Sequence, residues 1–357
     1  MGKVSDMLMR FLSISRAYTL AEPVYGGLGT ILGFHRVYER AGALSFRPNS
    51  SLEISTEFLE SLILMLLEED VDIVSLDRVY QILINREVPD RKFVCFTFDD
   101  GYRDTYELAY PVFKKYNIPM AIYVIAGERG LNNEIFANYI LEEIIRRNSS
   151  LKVERDGKTL TYDTASDRMK TRVYNELYSI VQNGRWPELR DEIVQEGLRV
   201  EIFSDNFRMS WDDVAAMSQD TNITIGAHTV THRRLHTLTR GDIVAEISDS
   251  ISMISKYSRT AVQHFCYPGG GVSREVFEVM TSFGLRTATT TKPGNIFTDH
   301  RTHREQLPRL MVTSEDLGRF RLRWSGMPAV IKNRFKRVSI TPLSIPAYEL
   351  KENEGVV

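Results

Sequence analysis

"FVCFTFDDG" (residues 93–101) runs an unbroken apolar, aromatic and β-branched stretch into two adjacent carboxylates and a glycine. Taken alone, Asp-Asp-Gly is a good surface turn, because Asp caps its own backbone and Gly accepts positive φ. The preceding run points elsewhere. Phe93, Val94, Cys95, Phe96, Thr97 and Phe98 are suited to burial on both faces, as in a parallel strand covered by helices. "YRDTYELAYPVFKKYN" (102–117) follows with Tyr106, Ala109, Val112, Phe113 and Tyr116 at helical spacing and Pro111 placed to open a second helical segment. "IPMAIYVIAG" (118–127) is then another apolar strand. The carboxylates therefore stand at the carboxyl end of a parallel strand, where α/β folds place their active sites. Neighbouring residues on a strand point to opposite faces, so Asp99 and Asp100 can share a site only where Gly101 lets the chain swing. Two carboxylates brought together favour a proton or a cation between them.

Composition bounds the reading. With 357 residues, 43% hydrophobic and 26% charged, the chain is of ordinary globular type, sufficient for one large domain with insertions or for two domains. A formal net charge of -2 gives no case for nucleic acid or a membrane surface. The two cysteines, Cys95 and Cys266, cannot form a disulfide framework. The amino-terminal stretch lacks an uninterrupted apolar core, and no run approaches the roughly 18 apolar residues of a membrane span. A cytoplasmic protein without a transmembrane segment is the expectation.

The strand-then-polar-loop pattern recurs. "ITIGAHTVTHRRLHTL" (223–238) passes from a short apolar segment into a histidine cluster. "GDIVAEISDSISMISKYS" (241–258) sets Ile243, Ile247, Ile251, Ile254 and Tyr257 on one helical face, with Thr239 as N-cap. "AVQHFCYPGGG" (261–271), the helix "SREVFEVMTSFG" (273–284), the strand "LRTATTT" (285–291) and the loop "KPGN" (292–295) complete the series. Each polar cluster follows a strand, which argues for a parallel barrel of (β/α) units with its chemistry on one rim. His228 and His232 are four residues apart. If their segment makes a helical turn, both imidazoles reach one ion, although Thr-Val-Thr between them disfavours a long helix, and such a pair can also be a solvated helix face. With Asp100 they make three protein ligands, leaving positions for water and substrate.

"TFDDG" (97–101), "HTVTH" (228–232) and "YPGGG" (267–271), in that order, resemble the polysaccharide deacetylases of carbohydrate esterase family 4, the nodulation-type chitooligosaccharide deacetylase homology group. "GFHRV" (33–37) and "LPRLMV" (307–312) look like a subgroup of its bacterial members. The resemblance implies a distorted (β/α)7 barrel over residues 31–127 plus 211–312. It also implies removal of acetyl groups from an N-acetylated oligo- or polysaccharide with one divalent metal, Zn2+ foremost, with Co2+, Ni2+ or Fe2+ as alternatives. Asp100, His228 and His232 would bind the metal and Asp99 would be the general base. Gly269 would supply the oxyanion donor and Tyr267 and Pro268 before it would bind substrate, although Pro-Gly alone also reads as a turn. Two departures stand out. Where many members carry an arginine two residues before the motif proline, this chain has Cys266, and Arg309 is the candidate substitute. The leucine-x-histidine motif that supplies the general acid is not evident in "RLMVTSEDLGRF" (309–320). His35 is the candidate rim residue for substrate, and His236, His264, His300 and His303 have weaker claims.

Residues 128–210 form an inserted segment. It combines amphipathic helices in "ANYILEEIIRR" (137–147) and "DRMKTRVYNELYSIVQ" (167–182) with a hairpin about Asp156-Gly157, either as a cap over the barrel or as a decoration. Residues 1–30 form an amino-terminal extension and residues 313–357 a basic carboxyl-terminal one. Two rival functions fit parts of the pattern. One is a non-haem iron oxygenase, which has no use for Asp99; the other is a catalytically degenerate, metal-containing carbohydrate-binding protein, suggested by Cys266 and the missing acid motif.

Overall fold

A computed structural model of the chain describes residues 25–39, 45–127, 136–182, 185–193, 207–313 and 315–327. The amino-terminal extension before residue 25 and the basic tail after residue 327 lie outside the described residues.

Seven parallel strands make the barrel: β1 (Gly29–Phe34), β5 (Phe93–Phe98), β6 (Met120–Val124), β9 (Ile223–Ala227), β10 (His264–Cys266), β11 (Thr287–Thr289) and β12 (Leu310–Met311). Each pairs with its neighbour in chain order, and β12 returns to β1 through Leu32 opposite Leu310. The remaining seam is closed by a parallel bridge between Thr289 and Leu307. This is a distorted (β/α)7 barrel. The distortion has a local cause, since β11 is shorter than "LRTATTT" suggests. Beyond Thr289, the Thr290 hydroxyl accepts the Lys292 N–H at 3.1 Å and folds the chain out of the strand direction. Short β4 (Asp72–Ile73) pairs only with the start of β5, leaving its end to β6. β2 (Arg36–Tyr38) and β3 (Glu53–Ser55) form a separate parallel pair beyond β1.

β5 is buried along its whole length, as expected for a strand with covered faces. Val94, Phe96 and Phe98 join the large cluster that includes Leu59 and Leu62 of α1 (Thr56–Glu68). Phe93 and Cys95 meet Ile31, Ala121, Tyr123 and Cys266 in a second cluster, which also receives Leu76 and Val79 of α2 (Leu76–Ile84). The strand period of two thus aims Thr97, and beyond it Asp99, to the Cys95 side. After β5, a π-helical turn (Thr105–Ala109) leads into α3 (Tyr110–Tyr116), with Pro111 in its first turn.

The inserted segment contributes α4 (Ala137–Arg147), the antiparallel hairpin of β7 (Ser150–Arg155) and β8 (Lys158–Asp163), α5 (Asp167–Gln182) and α6 (Trp186–Glu192). Asp156 and Gly157 take φ of 51° and 70°, as a tight hairpin turn requires. Ile140, Ile144, Leu151, Val153, Leu177 and Trp186 of this segment form an apolar cluster that also takes in Phe46 and Tyr102. The barrel resumes with α7 (Trp211–Met217), α8 (Arg240–Ser255) and α9 (Arg274–Ser282), capped by Ser210, Thr239 and Ser273. Tyr257, expected on the buried face of α8, falls beyond its end and stacks on Trp211. A final helix, α10 (Leu317–Trp324), follows the barrel. Among the described residues no helix is long and apolar enough to cross a membrane.

Candidate active site

Asp99 leaves β5 on the inner side of the strand and is 2% exposed. Arg309, fully buried, meets it with two parallel bonds: Nη1 donates to Oδ1 and Nη2 to Oδ2, each at 2.7 Å. The fork geometry matches both carboxylate oxygens at once. Arg309 is held in turn. Nε donates to the Thr290 carbonyl at 2.9 Å, and Nη1 also donates to the Thr97 hydroxyl at 2.9 Å. Cys266 Sγ lies beside the pair, 3.1 Å from Nη2 and 3.7 Å from Asp99 Oδ2. Burial pushes the Asp99 pKa up, but the Arg309 charge and its hydrogen bonds outweigh burial and hold the carboxyl below its ordinary 3.8.

Asp100 turns away from its neighbour through a left-handed backbone, φ 70°, followed by Gly101 at 68°. Its Oδ1 lies 3.3 Å from Nε2 of His228 and 3.3 Å from Nε2 of His232. That oxygen is buried and accepts no hydrogen bond of good geometry. The donor set fits a divalent cation. Two ligands each about 2.1 Å from a tetrahedral ion stand about 3.4 Å apart, and the three donor atoms lie within 4.8 Å of one another. His228 Nδ1 sits 2.6 Å from the Cys266 carbonyl, an arrangement that protonates Nδ1 and leaves Nε2 as the lone-pair donor. A second donor group, Asp99, His228 and Cys266, is equally compact, but the Arg309 guanidinium already supplies its positive charge.

The two histidines do not converge through a helical turn. His228 follows β9 directly, and residues 228–232 form a loop in which Thr229 and His232 take φ of 65° and 60°. Thr-Val-Thr cannot wind easily into a helix, so the chain brings His232 back by two left-handed residues instead. The Thr229 hydroxyl accepts the His232 N–H at 2.9 Å. The buried carboxylate of Glu246, on α8, accepts the N–H groups of Val230 at 2.8 Å and Thr231 at 2.9 Å, and the Thr231 hydroxyl. Sequence reading missed Glu246. It reads as one polar position on an amphipathic helix, and only its burial distinguishes it.

His35 lies between β1 and β2, in the neighbourhood of both Asp99 and Asp100. Gly269 occupies a turn after β10 with φ 64°, beside the Arg234 side chain. Pro268 is buried in the same turn. The Tyr267 ring is 1% exposed, its hydroxyl donates to the Glu305 carbonyl and its N–H to Thr289, so its polar groups serve the turn. His236 packs against Gly271, on this same turn. His264 begins β10, at the opposite end of the barrel, between Thr287 and Asp77. The His300 Nδ1 accepts the Phe297 N–H at 2.9 Å, and His303 lies beside Thr302.

Fold and donor set together describe a (β/α) barrel with a rim site able to hold one divalent cation. The polysaccharide deacetylase family model matches residues 86–288, more than half of the chain, and the chain belongs to that family, carbohydrate esterase family 4. His35 and Arg309 lie outside the matched residues. The chain is 22% identical over 227 residues to YxkH of Bacillus subtilis (strain 168), named as a polysaccharide deacetylase, across 61% of this chain and 54% of that protein. It thus spans about half the length of the curated relative it matches. Its fold is similar to that of the Streptococcus pyogenes deacetylase PplD in complex with acetate (TM-score 0.55, 17% identity, 82% of this chain and 96% of that one). It is also similar to IcaB from Ammonifex degensii (TM-score 0.53, 18% identity, 85% and 98%).

Proposed function

We propose that this protein is a metal-dependent hydrolase that removes acetyl groups from an N-acetylated glycan. The observation that carries the reading is the buried, unpartnered Oδ1 of Asp100 facing two imidazole nitrogens at 3.3 Å, one residue from a carboxylate oriented by Arg309. Asp100, His228 and His232 would hold a divalent cation, which, when bound, supplies Lewis acidity towards the acetyl carbonyl and the attacking water. Asp99 takes the water proton. Its low pKa keeps it ionised at neutral pH, and the Arg309 fork leaves each oxygen a further lone pair for that proton. We assign the Gly269 N–H to the oxygen on which negative charge develops, as the family resemblance implies for the residue after Pro268. His35, which stands near both aspartates, is assigned to the substrate.

A binding protein without catalysis was suggested by Cys266 and the missing acid motif; of these, the charge that Cys266 fails to supply comes from Arg309 in this chain. The test is acetate release from N-acetylglucosamine oligomers by the purified protein with added Zn2+, Co2+ or Ni2+. Release that vanishes in Asp99→Asn supports the reading. Binding of oligomers without any acetate release would favour the degenerate binding protein.

A further inference from the structure

The loop that carries His228 and His232 is strained. Thr229 is β-branched and holds φ 65°, a conformation in which such residues are genuine outliers, and His232 holds 60° three residues on. Strain of this kind persists only where the surroundings over-determine it. Two supports are present. On one side, the Thr229 and Val230 carbonyls accept the N–H groups of Ala126 and Gly127, each at 2.9 Å, and a Cβ on Gly127 would stand 2.4 Å from the Val230 oxygen, so only glycine allows that approach. Arg208, itself buried, donates to the carbonyls of Ile125 and Gly127 and fixes this strip. On the other side stands Glu246, its carboxylate accepting from two backbone N–H groups and one hydroxyl of residues 230 and 231, and from the half-exposed Arg233 side chain at 3.4 Å.

We infer that Glu246 is a positioning residue for the metal centre, holding the His228–His232 loop in the left-handed form that brings His232 Nε2 to Asp100. It does not itself face the ion. A carboxylate is suited to the task because its two oxygens accept from several donors at once and its charge shortens and strengthens each bond. Without it, Val230 and Thr231 lose their acceptor and the two left-handed residues relax toward the common backbone regions, which withdraws His232 from the donor set. Partners of this type typically change metal affinity by about 10- to 100-fold.

The inference rests on the reading of Asp100, His228 and His232 as metal ligands, and the experiment separates the two. Zn2+ affinity is measured by chelator competition for the parent protein, His228→Ala, Glu246→Ala, Glu246→Gln and Thr231→Val, with thermal unfolding of each metal-free protein alongside. The expected order of Zn2+ affinity is parent, then Glu246→Gln and Thr231→Val a few-fold weaker, then Glu246→Ala about 10- to 100-fold weaker. The Gln variant keeps one acceptor oxygen for the two N–H groups, so its partial rescue marks positioning rather than bulk stability. If Glu246→Ala does not fold, the Gln and Val variants carry the test. Zn2+ binding weakened in His228→Ala but unchanged in every Glu246 and Thr231 variant overturns this inference alone. A parent protein that takes up no Zn2+, or a His228→Ala variant with parental affinity, overturns the metal centre and this inference together.

Discussion

Replacing Arg309 by Met removes one member of a buried ion pair and leaves the other in place. Asp99 is 2% exposed and Arg309 fully buried, so no water can take over the lost contacts without opening the barrel. Breaking such a pair from one side costs about 3–5 kcal/mol, and the upper part of that range applies because the Thr290 carbonyl and Thr97 hydroxyl also lose a donor. Against a typical total of about 5–15 kcal/mol, the loss should be plain in urea unfolding. Its pH dependence has a definite sign. In the parent, the Asp99 pKa lies below 3.8, so the pair's stabilisation is present above that pH and fades as pH falls through the folded value. In Arg309→Met burial is the largest influence left on Asp99, its folded pKa rises, and the penalty grows as pH climbs through that window. The variant should therefore lie closest to the parent in acid and furthest from it at neutral pH. Acetate release at neutral pH should fall by about 10² to 10⁴, since Asp99 loses both the fork that orients it and the charge that favours its ionised form. Arg309→Lys restores charge without the fork and should recover part of both losses. Parental stability at pH 7 together with parental turnover in Arg309→Met would refute the reasoning.

Asp99→Asn should keep its metal and lose about 10² to 10⁴ in turnover, whereas Asp100→Asn and His232→Ala should lose metal by elemental analysis; equal metal in all three would remove Asp100 and His232 from the site. His300 is buried, and burial lowers its pKa from 6.5 to about 4. Because the folded pKa is the lower one, stability should fall as pH drops below 6.5, by about 2 kcal/mol between pH 7 and pH 5 at 1.36 kcal/mol per unit. His300→Phe should flatten that acid limb in urea titrations, and an unchanged slope would assign it to other groups. Gly269→Ala places a side chain at φ 64°, costing about 1–2 kcal/mol, and should reduce turnover while metal content stays at the parental level.

Most of the barrel is legible because its cause is local. The period of strand and helix burial needs no distant partner, and neither do Thr239 as a cap or Asp156-Gly157 as a turn. "TFDDG" is equally local, since the strand's end and the glycine are both in the string. The shape of "HTVTH" is not. Four-residue spacing suggests a helical turn, but the path actually taken depends on Glu246, fourteen positions after His232, and on Gly127, 105 positions before it. Arg309 became visible only through what Cys266 fails to provide. Its reach to Asp99 follows from β12 lying beside β1, a neighbour relation that no periodicity encodes.

The seam of the barrel lies between Thr289 and Leu307, and Arg309 follows it by two residues. Asp99 and Arg309 are 210 positions apart in the chain, so their pair belongs to the last part of the ring to emerge from a ribosome. Until that segment docks, the carboxylate at the end of β5 has no counter-charge and the interior has a gap along one side. Ring closure and neutralisation of the aspartate are then a single event in biosynthesis. Amide protons on both sides of the seam, at Leu307 and Thr290, should exchange together with the opening of the Asp99 pair.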